Sequence, residues 1–97
     1  MSESGQVLNE TEVAEGLAGL DGWSGDTTSI TRLVEAASFP AAIELVRKVA
    51  DVAEEMNHHP DIDIRWRRVR FTLSTHDAGG VTRLDLDQAS RINALAG

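Results

Sequence analysis

From Phe39 to Asn57 the chain carries two adjacent apolar rows at helical spacing. Ala42, Leu45, Val49, Val52 and Met56 form one row, and Ile43, Val46, Ala50 and Ala53 the other. Neighbouring rows make a wide apolar stripe, so this helix has to lie across another layer rather than stand free. Ser38 is placed to cap it, and Pro40 is tolerated in its first turn, where no N–H donor is needed. Glu44 with Lys48, and Arg47 with Asp51, pair opposite charges four residues apart on the solvent side. Pro60 forbids continuation and pushes His59 toward an extended conformation.

The flanking segments supply what the helix covers. Residues 1–8 read as a disordered tail, and residues 9–97 as a single domain. Asn9 with Glu12 reads as a capping box, with Leu8 and Val13 placed as a hydrophobic staple. Val13, Leu17 and Leu20 continue at helical spacing, while Gly16 and Gly19 weaken that helix and make it depend on packing. Asp21-Gly22 breaks it. Gly25-Asp26 signals a turn before a run rich in Thr, Ile and Val, so residues 22–36 read as a β-hairpin.

Beyond Pro60, Ile62, Ile64 and Trp66 alternate with polar residues, and so do Val69, Phe71 and Leu73, with a one-residue slip between the sets. The slip predicts two strands, or one strand bulged at Arg67-Arg68. His76 is read as the end of this segment, on the face of Thr72 and Ser74. Gly79-Gly80 makes a turn, and Thr82 with Asp85 resembles a second capping box. The helix it opens runs to about Leu95, with Leu86, Ala89, Ile92 and Ala96 as its apolar face. The order α-β-β-α-β-β-α predicts an α+β, two-layer fold: a four-stranded antiparallel sheet covered by helices on one face. Trp23, Phe39, Trp66 and Phe71 are the only aromatic residues, so the core is expected to be aliphatic.

Charge and composition narrow the function. Sixteen acidic residues against 9 basic ones give a net charge of −7, which disfavours contact with phosphate backbones. The absence of cysteine excludes disulfides, thiol catalysis and thiolate metal sites, and accords with a reducing cytoplasm. Met1 to Asn9 lacks a signal-peptide layout, and no apolar run approaches the ~20 residues that cross a bilayer. The expected location is cytoplasmic, with no membrane partner.

His58, His59 and His76 all lie outside the apolar rows. Consecutive extended residues point in opposite directions, so His58 and His59 are expected at different positions around one pocket. Three readings stand open on the residues alone. The histidines are idle surface groups, or metal ligands without the H-E-x-x-H spacing, or an acid–base set working near the imidazole pKa of about 6.5.

The wider spacing bears on the choice. Glu54 is followed after three residues by His58-His59-Pro60, after five more by Trp66, after nine by His76, and after eight by Asp85. This run, with the strings Asn57-His58-His59-Pro60-Asp61 and Leu73-Ser74-Thr75-His76-Asp77, closely resembles the signature of the pterin-4a-carbinolamine dehydratase family. A weaker likeness extends from Gly22-Trp23 to Asn93, and the family's two-layer fold agrees with the order above.

The resemblance implies dehydration of a 4a-hydroxytetrahydropterin to the quinonoid dihydropterin, as part of tetrahydrobiopterin recycling after an aromatic amino acid hydroxylase. It implies no metal and no cofactor, since the pterin is itself the substrate. It makes His58 and His76 the acid–base candidates, with His59 positioning the pterin. Pro60 and the stretch Thr75, His76, Asp77 and Ala78 would contribute pocket walls and backbone hydrogen bonds. Glu54 stands one turn before His58, where it either orients that histidine or is an ordinary exposed glutamate. Asp85 reads first as a helix cap, and Trp66 as core or pocket wall.

The family's animal members carry several aromatics in the second strand and at the start of the long helix. Here that strand has Val34 and Ala36, and Phe39 alone remains near the helix start. Because that strand serves subunit assembly in the family, homodimer and homotetramer both stay open. The rival function is a binding or regulatory protein on the same fold, since animal members also act as a dimerisation cofactor for a homeodomain transcription factor. A related alternative keeps the pocket for another pterin pathway. Arg65, Arg67, Arg68 and Arg70 raise direct nucleic-acid contact, against which the net charge favours a solvated strand face paired with carboxylates.

Overall fold

The apolar stripe of the central helix meets a sheet but is narrower than its two rows suggest: Ala42, Leu45, Val49 and Ala53 are buried, while Ile43 and Ala50 are exposed because they lie at the stripe's outer edge. The computed structural model describes residues 6–97. Along the chain run α1 (Glu10–Ala18), β1 (Ser24–Gly25), β2 (Ile30–Glu35), α2 (Phe39–Met56), β3 (Asp61–Arg65), β4 (Arg68–Leu73) and α3 (Arg83–Ala96). The sheet is antiparallel throughout, in the order β1-β2-β4-β3.

Register sorts the side chains by face. Ile30 lies opposite Leu73 and Val34 opposite Val69, while Phe71 stands between Arg32 and Ile62. Ile30, Val34, Val69, Phe71 and Leu73 are buried with Ala42, Leu45 and Val49 of α2 and Ala89 and Ile92 of α3. The other face carries Leu33, Glu35, Asp61, Asp63, Arg65, Arg68 and Arg70, all exposed. Helices thus cover one face only. The strand question resolves as two strands joined at Trp66-Arg67, with Trp66 in the left-handed region at φ 56°.

Local chemistry places the helix ends. Asn9 Oδ1 accepts from the Glu12 N–H at 2.8 Å and Glu12 Oε1 from the Asn9 N–H at 2.9 Å, which completes the capping box of α1. Ser38 Oγ accepts from the Ala41 N–H at 3.1 Å at the start of α2. On α2 the ion pairs regroup: Arg47 holds both Glu44 at 2.7 Å and Asp51 at 3.2 Å, so Lys48 does not take Glu44. The Arg47 hydrogen bond and charge hold the Glu44 carboxyl below its ordinary value.

Two expectations shift at the N-terminal side. Residues 1–5 of the expected tail lie outside the described residues. Leu8, at its end, is buried in the core, and its N–H donates to Val81 O at 2.9 Å. The apolar side chain and the backbone bond draw the ordered chain back past residue 9. Gly16, which weakens α1 on propensity, serves packing instead: a Cβ there would come within 2.6 Å of Leu86 on α3. Trp23 is buried at 6% exposure, and its indole N–H donates to Asn93 Oδ1 at 2.8 Å.

Phe71 is fully buried at the centre of this core. Phe71→Ala is expected to lower the unfolding free energy by about 3–5 kcal/mol in urea denaturation. Leu33→Ala, on the exposed face, is expected to change it by less than about 1 kcal/mol.

Candidate active site

Asn57 ends α2 in the left-handed region at φ 51°, which asparagine tolerates better than most residues. Its N–H donates to Glu54 O at 3.3 Å, and the His58 N–H donates to Ala53 O at 3.0 Å. These bonds satisfy carbonyls that a helix end leaves open. The His58 carbonyl in turn accepts from Gln88 Nε2 at 2.6 Å. The backbone of His58 is therefore held by both α2 and α3.

The ring is held as well. His58 Nε2 lies 2.6 Å from Asp85 Oδ1, with the His58 side chain 10% exposed and that of Asp85 0%. The second oxygen, Asp85 Oδ2, accepts from the Thr82 N–H at 2.9 Å and from Thr75 Oγ1 at 2.8 Å. Thr75 has spent its one hydroxyl hydrogen, so Thr82 donates in the 2.7 Å bond between the two hydroxyls. With both Asp85 oxygens accepting in this network, the bond to His58 is donated from Nε2–H. Asp85 closes the capping box of α3, whose N-cap is Thr82, with one oxygen and holds His58 with the other.

Glu54 does not orient His58. Its Oε2 lies 2.5 Å from His59 Nε2, and both side chains are exposed. The reason is the left-handed turn at Asn57, after which His58 points inward and His59 outward. His76 also sits differently from the strand position expected of it. β4 ends at Leu73, Thr75 bridges to Gly80, and the Ala78 and Gly79 N–H groups both donate to Thr75 O, at 3.0 and 2.9 Å. These bonds fold residues 75–79 into a tight turn that presents His76 to solvent.

A hollow of about 210 Å³ opens between the end of α2 and this turn, lined by Asn57, His58, His59, Ser74, Thr75, His76 and Asp77. The fold thus brings all three histidines, Thr75 and Asp77 to one hollow. Pro60 and Ala78 are not among its walls, and Glu54 reaches it only through His59. Asn57 and Ser74 are walls that motif reasoning missed. An Asn before His-His-Pro at a helix end is a left-handed stop signal, and Ser74 alternates away from the buried Leu73. Among the described residues no group of three His, Asp or Glu side chains is placed to hold a metal ion.

Trp66 is neither core nor wall of this site. It is 67% exposed at the β3–β4 turn, with the Arg67 guanidinium 5.0 Å from its ring centre. It borders a separate hollow of about 740 Å³ on the open sheet face, with Leu33, Asp63, Arg65, Arg68 and Arg70. The arginines there are largely paired: Arg65 with Asp63 at 3.2 Å, and Arg67 and Arg68 with Glu35 at 3.6 and 3.4 Å. No helix among the described residues is long and apolar enough to cross a membrane.

The chain is similar to known proteins over nearly its whole length. The family model described as Pterin 4 alpha carbinolamine dehydratase matches residues 6–95. A protein of Nocardia farcinica, provisionally named a pterin-4-alpha-carbinolamine dehydratase, is 53% identical over 91 residues, 94% of this chain and 96% of that one. A protein of Roseiflexus castenholzii with the same provisional name is 48% identical over 92% of this chain and 96% of its own. Among solved structures, a transcriptional coactivator/pterin dehydratase from Brucella melitensis superposes with a TM-score of 0.89 at 39% identity. That match covers 93% of this chain and 98% of that one. A pterin dehydratase-like protein identified as a RuBisCO assembly factor shares the fold, with a TM-score of 0.64 at 24% identity over 77% and 87% of the two chains.

The Asp85 network separates a buried partner from an exposed one. Asp85→Ala strands buried donors on Thr82, Thr75 and His58, and urea denaturation is expected to show a loss of about 3–5 kcal/mol. Glu54→Ala, which breaks only the exposed pair with His59, is expected to cost less than about 1 kcal/mol.

Proposed function

The chain belongs to the pterin 4 alpha carbinolamine dehydratase family, and from that premise we propose that it dehydrates a 4a-hydroxytetrahydropterin by histidine acid–base catalysis. The C4a–O bond breaks as the leaving hydroxyl takes a proton and departs as water. N5 gives up its proton, and its electron pair closes the double bond to C4a of the quinonoid dihydropterin. Such a reaction needs one group that donates a proton and one that accepts, close together at near-neutral pH.

The observation that carries this reading is the convergence of His58, His59 and His76 on one hollow, with His58 fixed by a buried carboxylate. His58 and His76 are the acid–base pair in this proposal. Asp85 accepts from His58 Nε2–H, so that Nδ1 is the nitrogen available to the substrate. His59, exposed and braced by Glu54, positions the pterin, with Thr75 and Asp77 as neighbouring walls. In the same reading the enzyme works in the cytoplasm as a homodimer or homotetramer, on the product of an aromatic amino acid hydroxylase. It needs no metal or cofactor of its own.

A second reading, a protein-binding or regulatory module, is favoured by the open sheet face, where Leu33 and Trp66 stand exposed among Arg65, Arg68 and Arg70. The Brucella melitensis protein of the same fold, described as a transcriptional coactivator/pterin dehydratase, points the same way.

Freshly generated 4a-hydroxytetrahydropterin, followed by ultraviolet absorbance, distinguishes the two. The wild type is expected to accelerate dehydration over the spontaneous rate, and His76→Ala to lose about 10²–10⁴-fold of that while remaining folded. A folded wild type without acceleration rejects the dehydratase reading and leaves the binding module.

A further inference from the structure

His58 is held by its N–H, by its carbonyl and by its ring. The N–H donates to Ala53 O, the carbonyl accepts from Gln88 Nε2, and the ring meets Asp85. The last two holds come from α3. Asp85 and Gln88 stand three residues apart, so they lie on one face of that helix, a turn from each other. The Ala53 bond belongs to the end of α2, and the Asp85 bond to the carboxylate network that also caps α3. Only the Gln88 bond falls outside both.

Gln88 is an unfavourable residue for its place. It is fully buried, on a helix face that continues with Ala89 and Ile92 into the core. The His58 carbonyl can only accept, so the amide turns its NH2 group toward it, at 2.6 Å. That orientation leaves Gln88 Oε1 buried without a hydrogen-bond partner, alone among the buried side-chain oxygens and nitrogens of the described residues. A leucine or methionine would fill the same space without a stranded oxygen. The amide is therefore explained by the one bond it makes.

The carbonyl it holds belongs to the peptide that joins His58 to His59. A peptide unit is planar, so tying down its oxygen constrains the rotation on the His58 side and on the His59 side together. Those rotations decide how the two rings diverge, His58 inward against Asp85 and His59 outward against Glu54. His58 has a second, buried hold on its ring. His59 has only the exposed pair with Glu54, which constrains it weakly, so its aim comes from its backbone. Pro60 restricts that backbone from one side and the Gln88 bond from the other.

We propose that Gln88 is a positioning residue of the histidine hollow: by donating to the His58 carbonyl it fixes the peptide plane between His58 and His59, and so the aim of both rings. Its effect on rate rests on the dehydratase reading and deepens it, while its effect on the two rings stands apart from that reading.

Gln88→Met and Gln88→Leu, both close to glutamine in volume and both without a donor, test it once circular dichroism has established which of them fold. In dehydration of 4a-hydroxytetrahydropterin, kcat is expected to fall about tenfold or more and KM to rise. In protein carrying isotope-labelled histidine, the imidazole nitrogen signals of His58 and His59 are expected to move in the NMR spectrum. Those of His76, on the turn after β4, are expected to stay in place. Unchanged kcat in a folded variant overturns the proposal, and so do unmoved His58 and His59 signals. An equal shift of all three histidines, the mark of a general loosening, overturns it as well. Failure of both variants to fold assigns Gln88 to the core alone and rejects it. Should the wild type itself not dehydrate the pterin, the dehydratase reading falls and the ring signals decide: the same pattern upholds the positioning role, and any other rejects it.

Discussion

The carboxylate of Asp85 is the joint on which this architecture turns. A buried charge without partners is among the most unfavourable arrangements in a protein, so its environment has to be complete. Here the completion draws in three separate segments: His58 from the end of α2, Thr75 from the exit of β4, and Thr82 from the start of α3. The N-terminus of α3 adds its unpaired N–H groups and dipole, which favour negative charge there. Every wall of the histidine hollow lies on one of the first two segments or beside it. Folding the cap of α3 and assembling the site are consequently one event.

What could be read from the amino-acid order depended on range. The first apolar row of α2, its Ser38 cap, the Asn9–Glu12 box and the Thr82–Asp85 box are all local patterns, and each stands where the spacing puts it, whereas Ile43 and Ala50 of the second row are exposed. The phase slip after Trp66 correctly divided the last two strands. Side-chain partnership was less legible, because it depends on backbone direction at single residues. The left-handed Asn57 sends His58 inward and gives Glu54 to His59. A Thr75–Gly80 bridge takes His76 out of the strand and into a turn. Neither conformation has a periodic signature.

Aromatic residues misled for a related reason. Size alone suggests that Trp66 belongs in a core or against a ligand, yet the tight turn at β3–β4 leaves it in solvent beside Arg67. The arginines read as one basic run divide between partners once folded. Glu35 answers two of them from β2 and Asp63 answers one from β3, so three of the four arginines face a carboxylate.

The two tryptophans stand in opposite surroundings, one at 6% exposure with its N–H on Asn93, the other at 67% beside a guanidinium. The protein is thereby provided with two intrinsic optical reporters of different character, and no tyrosine adds to their emission. Trp23 emits from the buried core and follows its loss, whereas Trp66 emits from water and is open to collisional quenchers. A quencher titration can separate the two signals, so events at the open sheet face and unfolding of the interior are distinguishable in one cuvette without a label.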